Sequence, residues 1–364
     1  MTKRISQLRE QVRRRRRERH RRDCTVALDV MGTDIGPEEI LQGAADAIAQ
    51  YPHISVIATG PHDRLQSIIR DRGFTSPRLA VEDAPELVTM DESPRDSLRK
   101  RASSVAVAAR LVKEGRADAM VSPGNTGATM AHAMFQWRTL PGISRPAIAA
   151  FMPHPRRPLI FLDVGANVDC RPRHLFHFAI MGSVYSRLML HCRSPKVGIL
   201  SVGEEATKGN DLVFETRKLL EASTLNFLGN AEGRDLLAGQ FDVVVCDGFV
   251  GNIVLKFGES VVEFLFSNLK EEVKGNLLTQ LGAAAMLPAL RSFKRRVDHA
   301  EQGGAPLLGL QGNCIICHGS SRARAIMNAL RSAGDLVGAK VNEHIVELAA
   351  ANAAVGQPAA GTAG

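Results

Sequence analysis

The sequence predicts an α/β protein, a three-layer α/β/α arrangement in which helices cover both faces of a mostly parallel sheet. Three observations predict it. Short apolar runs recur along the chain, at Thr25–Leu28, Ser55–Thr59, Ala119–Val121, Leu159–Leu162, Val197–Val202, Val243–Cys246 and Asn313–Cys317. Longer stretches of helical character separate them, which is the pattern of strand, crossover helix and parallel strand. Nearly every run also ends in a short polar turn that carries glycine and opens the next helix.

The helices are expected at Pro37–Gln50, Ser93–Glu114, Asn125–Arg138, Arg173–His191, Asn210–Ala222, Gly251–Glu271 and Ser320–Ala333. In a parallel sheet the turns after the strands gather at the carboxyl edge, where ligands bind. The five clearest are Asp29–Asp34, Ser122–Gly127, Asp163–Asp169, Asp247–Asn252 and His318–Ser321. Glycine lets a ligand approach the backbone, and helix N-termini offer unpaired N–H groups to an anion. One such Asn or Ser alone is ordinarily an N-cap. Five at one edge point to a site for an oxyanion.

Composition adds mainly exclusions. The net charge of +8 belongs to residues 1–22, which hold eleven Lys/Arg against Glu10 and Glu18. The rest of the chain has 35 basic and 36 acidic residues, a near-neutral body behind a basic, disordered tail. One Trp and two Tyr are too few for a stacking surface, so no nucleic-acid partner is expected. The six cysteines, scattered through apolar runs, read as buried thiols of a reducing compartment. Cys314-Ile315-Ile316-Cys317-His318 matches the spacing of c-type haem attachment, but no export signal is visible and a strand ending in a polar turn is the better reading. No run approaches the ~18 apolar residues of a membrane span. The Ala/Gly-rich segment 348–364 is expected to fray.

Several site types are missing from the sequence. It has no phosphate-binding loop of nucleotide hydrolases, no Gly-x-Gly-x-x-Gly after a strand and no Gly-x-Ser-x-Gly elbow. Asp163 and Asp169 carry groups that coordinate cations, yet a turn-and-cap role suits them better, so neither a metal nor a cofactor is expected.

The motifs resemble those of the phosphate acyltransferases of bacterial phospholipid synthesis, the PlsX family. The matching stretches are Ala27–Asp34, Val121–Ala128, Leu162–Cys170, Gly203–Asn210, Gly229–Asp235, Cys246–Asn252 and Gly303–Leu310, then His318–Ser321. The resemblance spans about residues 24–347 in the family's order, so the body is expected at 23–347. The chain departs from the family's usual Met-Gly-Gly-Asp-His at Thr33 and Ile35, and from its usual Ala at Pro123.

The resemblance implies transfer of a fatty acyl group from acyl carrier protein to inorganic phosphate. Phosphate is itself an oxygen nucleophile, so the protein must position it, exclude water and stabilise the tetrahedral oxyanion. The residues expected to do so are Asn125 and Lys208, with His318 as general acid–base; capping the helix that follows is the alternative role for His318. Asp29, Gly32, Asp34, Ser122, Thr126, Gly127, Asn167, Asp169, Asn210, Asp247, Asn252, Ser320 and Ser321 are expected to line the substrates. Cys170 and Cys246 have no base beside them in sequence, which favours direct transfer over an acyl-enzyme. Arg99, Lys100 and Arg101 are a candidate dock for the acidic carrier or else a solvated face.

A segment around 260–300 resembles the family's exposed helical hairpin. There Leu277, Leu281, Met286 and Leu287, near Lys294–Arg296, suit a membrane surface, a partner subunit or plain packing. The expected protein is thus a cytoplasmic, peripherally membrane-associated homodimer, near the membrane glycerol-phosphate acyltransferase that would use its product. A related enzyme acting on coenzyme A thioesters, or an inactive phosphate-binding regulator, is the alternative.

Overall fold

The structure, a computed structural model, describes residues 22–153, 157–275, 277–297 and 303–356. Expectations about residues 1–21 and 357–364 lie outside the described residues.

Twelve strands form two sheets among the described residues. The first contains β1 (Cys24–Asp29), β2 (Ile54–Gly60), β3 (Leu79–Asp83), β4 (Ala119–Ser122), β5 (Ala147–Ile148), β11 (Ala305–Leu308) and β12 (Asn313–Ile316), in the order β3-β2-β1-β4-β12-β11-β5. All its pairs are parallel except those of β11 with β12 and β5. The second has the order β6-β7-β10-β8-β9, from β6 (Ala150–Met152), β7 (Leu159–Leu162), β8 (Val197–Leu200), β9 (Phe227–Ala231) and β10 (Val243–Val245). Only its edge pair β6–β7 is antiparallel.

The expected single sheet is therefore two. The chain crosses between them at Ala149, whose N–H donates to Pro306 O (3.0 Å). Strands β5 and β6 flank that one residue and are too short to show a period in sequence.

Alternation along the strands builds the three layers. Val26 and Leu28 of β1 enter one core with Ile40, Leu41 and Ala44 of α1 (Pro37–Gln50) and Ile326 and Leu330 of α11 (Ala323–Gly338). Ala27, between them, faces the opposite core with Val105 and Ala108 of α4 (Ser104–Lys113) and Ala128 and Ala133 of α5 (Thr126–Trp137). The second sheet repeats this, with Ile160 and Leu162 facing Phe178 and Ala179 of α6 (Pro172–Met189), and Phe161 turned to the other side. On α6, Gly182 allows the closest approach. A Cβ there would sit 2.6 Å from Val243 Cγ1 and 2.8 Å from Leu162 Cδ1. Of the remaining helices, α2 is His62–Asp71, α7 Asp211–Glu221 and α8 Asp235–Ala238.

Three elements differ from expectation. The helix expected over Ser93–Glu114 is broken into α3 (Pro94–Ser97) and α4. Glu86 accounts for the break: its carboxylate accepts from Ala102 N (2.8 Å), and its backbone bridges Ser103. The chain does not fray at 348, because α12 (Val341–Ala351) buries Ala349 and the next residue, Asn352, is pinned. Its Oδ1 accepts from Thr224 N (2.9 Å) and its Nδ2 donates to Leu348 O (2.9 Å).

The hairpin is also longer than expected, α9 running Gly248–Lys274 and α10 Leu277–Val297. In α9 only Gly248 and Gly251 are buried, while Phe257 and Phe264 are 69% and 64% exposed. No helix among the described residues is long and apolar enough to cross a membrane.

Candidate active site

Two buried aspartates organise the polar turns, one at the carboxyl edge of each sheet. Asp29 ends β1. Its carboxylate accepts from Ser122 Oγ (2.7 Å), which ends β4, from Gly32 N (3.3 Å), and from the hydroxyl of Ser104. Ser122 Oγ in turn meets Thr129 Oγ1 (3.0 Å) and accepts from Gly124 N (3.2 Å). Burial pushes the Asp29 carboxyl above its ordinary value, against the pull of these hydrogen bonds. A small recess lies over the network, lined by Asp29, Gly32, Ser104, Gly124, Asn125 and Thr129.

The last turn locks onto the first. Gly319 O accepts from Asp34 N (3.1 Å) and Thr33 Oγ1 (3.0 Å), so the residue that departs from the family pattern ties two turns together. Gly319 also packs so closely on the Asp34 carboxylate that any Cβ would collide with it. His318 is exposed, and its Nδ1 accepts from Ser320 N (3.2 Å) and contacts Ser320 Oγ (2.8 Å). With Nδ1 accepting, the neutral ring carries its proton on Nε2. Ser321 N donates to His318 O (2.9 Å) and closes the turn.

At the N-terminus of α5, Asn125 acts as a brace. Its Oδ1 caps Ala128 N (3.0 Å), and its Nδ2 donates to Met90 O (2.8 Å) and Glu92 O (2.9 Å). The adjacent N–H groups of Thr126 and Gly127 meet no acceptor among the described residues. They sit at the positive end of a twelve-residue helix.

Asp163 follows β7 and is held differently. Oδ1 accepts from Ile148 N (3.0 Å) and Ala166 N (3.1 Å), and Oδ2 from Asn167 N (2.7 Å) and Asn167 Nδ2 (2.9 Å). Burial raises its carboxyl too, opposed by those four donors. Ile148 is the last residue of β5, so Asp163 joins the carboxyl edges of the two sheets. Asp247 caps α9 through Val250 N (2.9 Å), and Gly248 N donates to Asn167 O (2.8 Å). Gly251 packs on Asp163 O, where any side chain would collide, and Asn252 stands beside Gly165.

On the same edge, Asn230 shapes the loop that carries Lys208. Its Nδ2 donates to Gly203 O (3.1 Å), Glu205 O (2.8 Å) and Lys208 O (3.0 Å). Lys208 is exposed, and no carboxylate among the described residues pairs with it. Asn210 caps α7 through Val213 N (3.0 Å), and Asp169 is exposed at the end of the Asp163 turn.

The expected site residues thus fall on two adjoining edges. Asp29, Gly32, Asp34, Ser122, Asn125, Thr126, Gly127, His318, Ser320 and Ser321 belong to the first. Asn167, Asp169, Lys208, Asn210, Asp247 and Asn252 belong to the second. Arg99, Lys100 and Arg101 lie between α3 and α4, where Lys100 Nζ donates to Leu87 O (2.8 Å) and to Glu92. Met286 and Leu287 are exposed on α10; the side chains of Leu277 and Leu281 lie outside the described residues.

Thr129, Ser104 and Asn230 were not singled out in sequence, nor was Asp163 as an organiser. Asp163 shares the one legible signal with Asp29, an acid directly after an apolar strand. Thiol chemistry is disfavoured, since burial pushes Cys170 up to about 12 and Cys246 well above its ordinary value. No metal-binding group of His, Cys, Asp or Glu occurs among the described residues.

Comparison with known proteins identifies the family. A family model described as "Fatty acid synthesis protein" matches residues 24–344. The chain belongs to that family, the PlsX phosphate acyltransferases. One family relative, a phosphate acyltransferase of Syntrophotalea carbinolica, is 46% identical over 88% of this chain and 92% of its own. Another, from Heliobacterium modesticaldum, is 47% identical over 88% and 97%. The family shares its fold with a phosphotransacetylase from Streptococcus pyogenes, with TM-score 0.58 and 18% identity over 88% of this chain and 94% of that one.

Proposed function

We propose that the chain transfers a long-chain fatty acyl group from acyl carrier protein to inorganic phosphate, giving acyl phosphate for glycerophospholipid synthesis. The observation that carries this reading is the pair of unengaged N–H groups of Thr126 and Gly127, in a chain whose relatives are phosphate acyltransferases. They suit a phosphate or a developing oxyanion.

In this reading a phosphate oxygen attacks the thioester carbonyl carbon, and the carbonyl electrons move onto its oxygen. Their return breaks the C–S bond and expels the carrier's thiolate, which takes up the proton that the hydrogen phosphate loses as the acyl phosphate forms, while Nε2–H of His318 donates a hydrogen bond to the leaving sulfur. Lys208 supplies positive charge to the phosphate, and Asn125 acts by holding the start of α5 in place. Asp34, Asn167, Asp169, Asn210, Asp247, Asn252, Ser320 and Ser321 shape the walls. No acyl-cysteine forms, in keeping with thiols held protonated.

Replacing Lys208 with Ala is expected to raise the KM for phosphate about tenfold or more, whereas His318→Asn lowers kcat with that KM unchanged. An unaltered phosphate KM in the Lys208 variant would remove Lys208 from the site. Vesicle sedimentation tests the hairpin, which we assign to a second copy of the chain and to lipid through Leu277, Leu281, Met286 and Leu287. Such a peripheral, cytoplasmic homodimer would hand its labile product to the membrane glycerol-phosphate acyltransferase. Met286→Asp is expected to reduce pelleting with vesicles, and unchanged pelleting would refute the lipid contact.

A further inference from the structure

We propose that Arg145, Arg171 and Arg173 form the surface on which the acidic carrier protein docks, a proposal that rests on the acyl-transfer reading above. Three segments bring these cations together. Ser144 donates to His177 Nδ1 on α6 through its N–H (3.1 Å) and contacts it through Oγ (2.9 Å), laying the Ser144–Pro146 loop on the start of that helix. Pro146 O accepts from Asn167 Nδ2 (2.8 Å), which ties the same loop to the Asp163 turn. Arg171 N donates to His174 Nδ1 (3.2 Å) where that turn becomes α6.

All three arginines are exposed, and none pairs with a carboxylate among the described residues. The acids on these segments are Asp163, buried and occupied by four donors, and Asp169. The first turn of α6 carries no acid, so the cations crowd the positive end of an eighteen-residue helix. That placement opposes the helix dipole and costs stability unless an anion offsets it. The histidines beneath register the same field. Burial and then Arg145 and Arg171 lower His174, while burial and then Arg173 lower His177 to about 4.

The location suits a carrier-borne substrate. Arg171 directly follows the Asp163 turn, so a protein seated on these arginines brings its thioester arm to the second edge. Val168 and Phe249, 61% and 58% exposed, flank the Asn167–Gly248 hydrogen bond and offer apolar surface to the acyl chain. The other basic cluster is already balanced. Lys100 Nζ lies 2.6 Å from Glu92, and Arg99 lies 3.8 Å from Asp96, with Glu86 and Asp91 close in sequence. A balanced patch attracts an acidic partner weakly, whereas an uncompensated one steers it.

The test is binding of a bacterial holo acyl carrier protein to the full chain by calorimetry at two salt concentrations, alongside phosphate-dependent thiol release. Arg145→Glu/Arg173→Glu is expected to weaken carrier binding by roughly tenfold or more and to flatten its salt dependence. Release from a small acyl-pantetheine donor should be unchanged in that variant, which also shows that it folds. Arg99→Glu/Arg101→Glu should bind nearly as wild type. Undiminished carrier affinity in Arg145→Glu/Arg173→Glu overturns the proposal. So does equal loss with both donors, which would make the cluster a phosphate site, and so does loss confined to pelleting with anionic phosphatidylglycerol vesicles. Because binding is read apart from turnover, a carrier that binds through these arginines but is never deacylated would refute the acyl-transfer reading and leave the docking surface standing.

Discussion

Asp29 and Asp163 occupy equivalent places in the two sheets, each the acid that follows a buried strand, yet they are held by different chemistry. Asp163 receives four N–H donors, three from backbone and one from the Asn167 amide. Those donors cannot become acceptors, so only an ionised carboxylate satisfies them all. Asp29 is held mainly by the hydroxyls of Ser122 and Ser104, which can rotate and either donate or accept. The second edge is therefore a fixed frame joining the sheets, whereas the first can adjust its hydrogen bonding.

Substitution tests this contrast most strongly at Asp163. Asp163→Asn turns an amide NH2 towards existing N–H donors and should cost ~3 kcal/mol or more in denaturant unfolding. Asp29→Asn should cost less, ~1–2 kcal/mol, because Ser122 and Ser104 can turn to accept from the new amide. Equal losses in the two variants would break the comparison.

A titration sharpens it on the side of the second sheet. His177 on α6 is held neutral, its value lowered by burial and by Arg173 from 6.5 to about 4. Because the folded value is depressed, its contribution is fully present above pH 6.5 and is lost as pH falls towards 4. At pH 5 the loss is about 2 kcal/mol. Unfolding midpoints at pH 7 and 5 should differ less in His177→Asn than in wild type. The smallest effect belongs to the hairpin: Phe257, 69% exposed, should tolerate Ser within ~0.5 kcal/mol in the isolated chain.

The parallel architecture was legible because strands buried on both faces leave unbroken apolar runs, as in β4 and β7, whose residues are all buried. The division into two sheets was not, since it turns on Ala149 and strands of two and three residues. The helix break before Ser104 depends on Glu86, distant in sequence, which no local pattern reveals. The polar turns after the strands were legible as well, and the fold gathers them at the carboxyl edges of the two sheets. Individual roles were less accessible: Asn125 looked like a ligand, whereas its side chain braces residues 90–92 and caps α5. Thr129 left no signal, because it matters through a contact made only in three dimensions, and Asn230, though inside the matching stretch Gly229–Asp235, showed nothing of its bonds to the Lys208 loop.

The central claim is that the two edges together transfer an acyl group from a carrier thioester to phosphate. It is tested most directly by phosphate-dependent thiol release with long-chain acyl carrier protein and long-chain acyl coenzyme A as alternative donors. The account predicts release from the carrier thioester that saturates with phosphate, stops without it, and yields an acyl phosphate trapped by hydroxylamine. Efficient release from the coenzyme A thioester alone, or phosphate binding with no release from either donor, would contradict it.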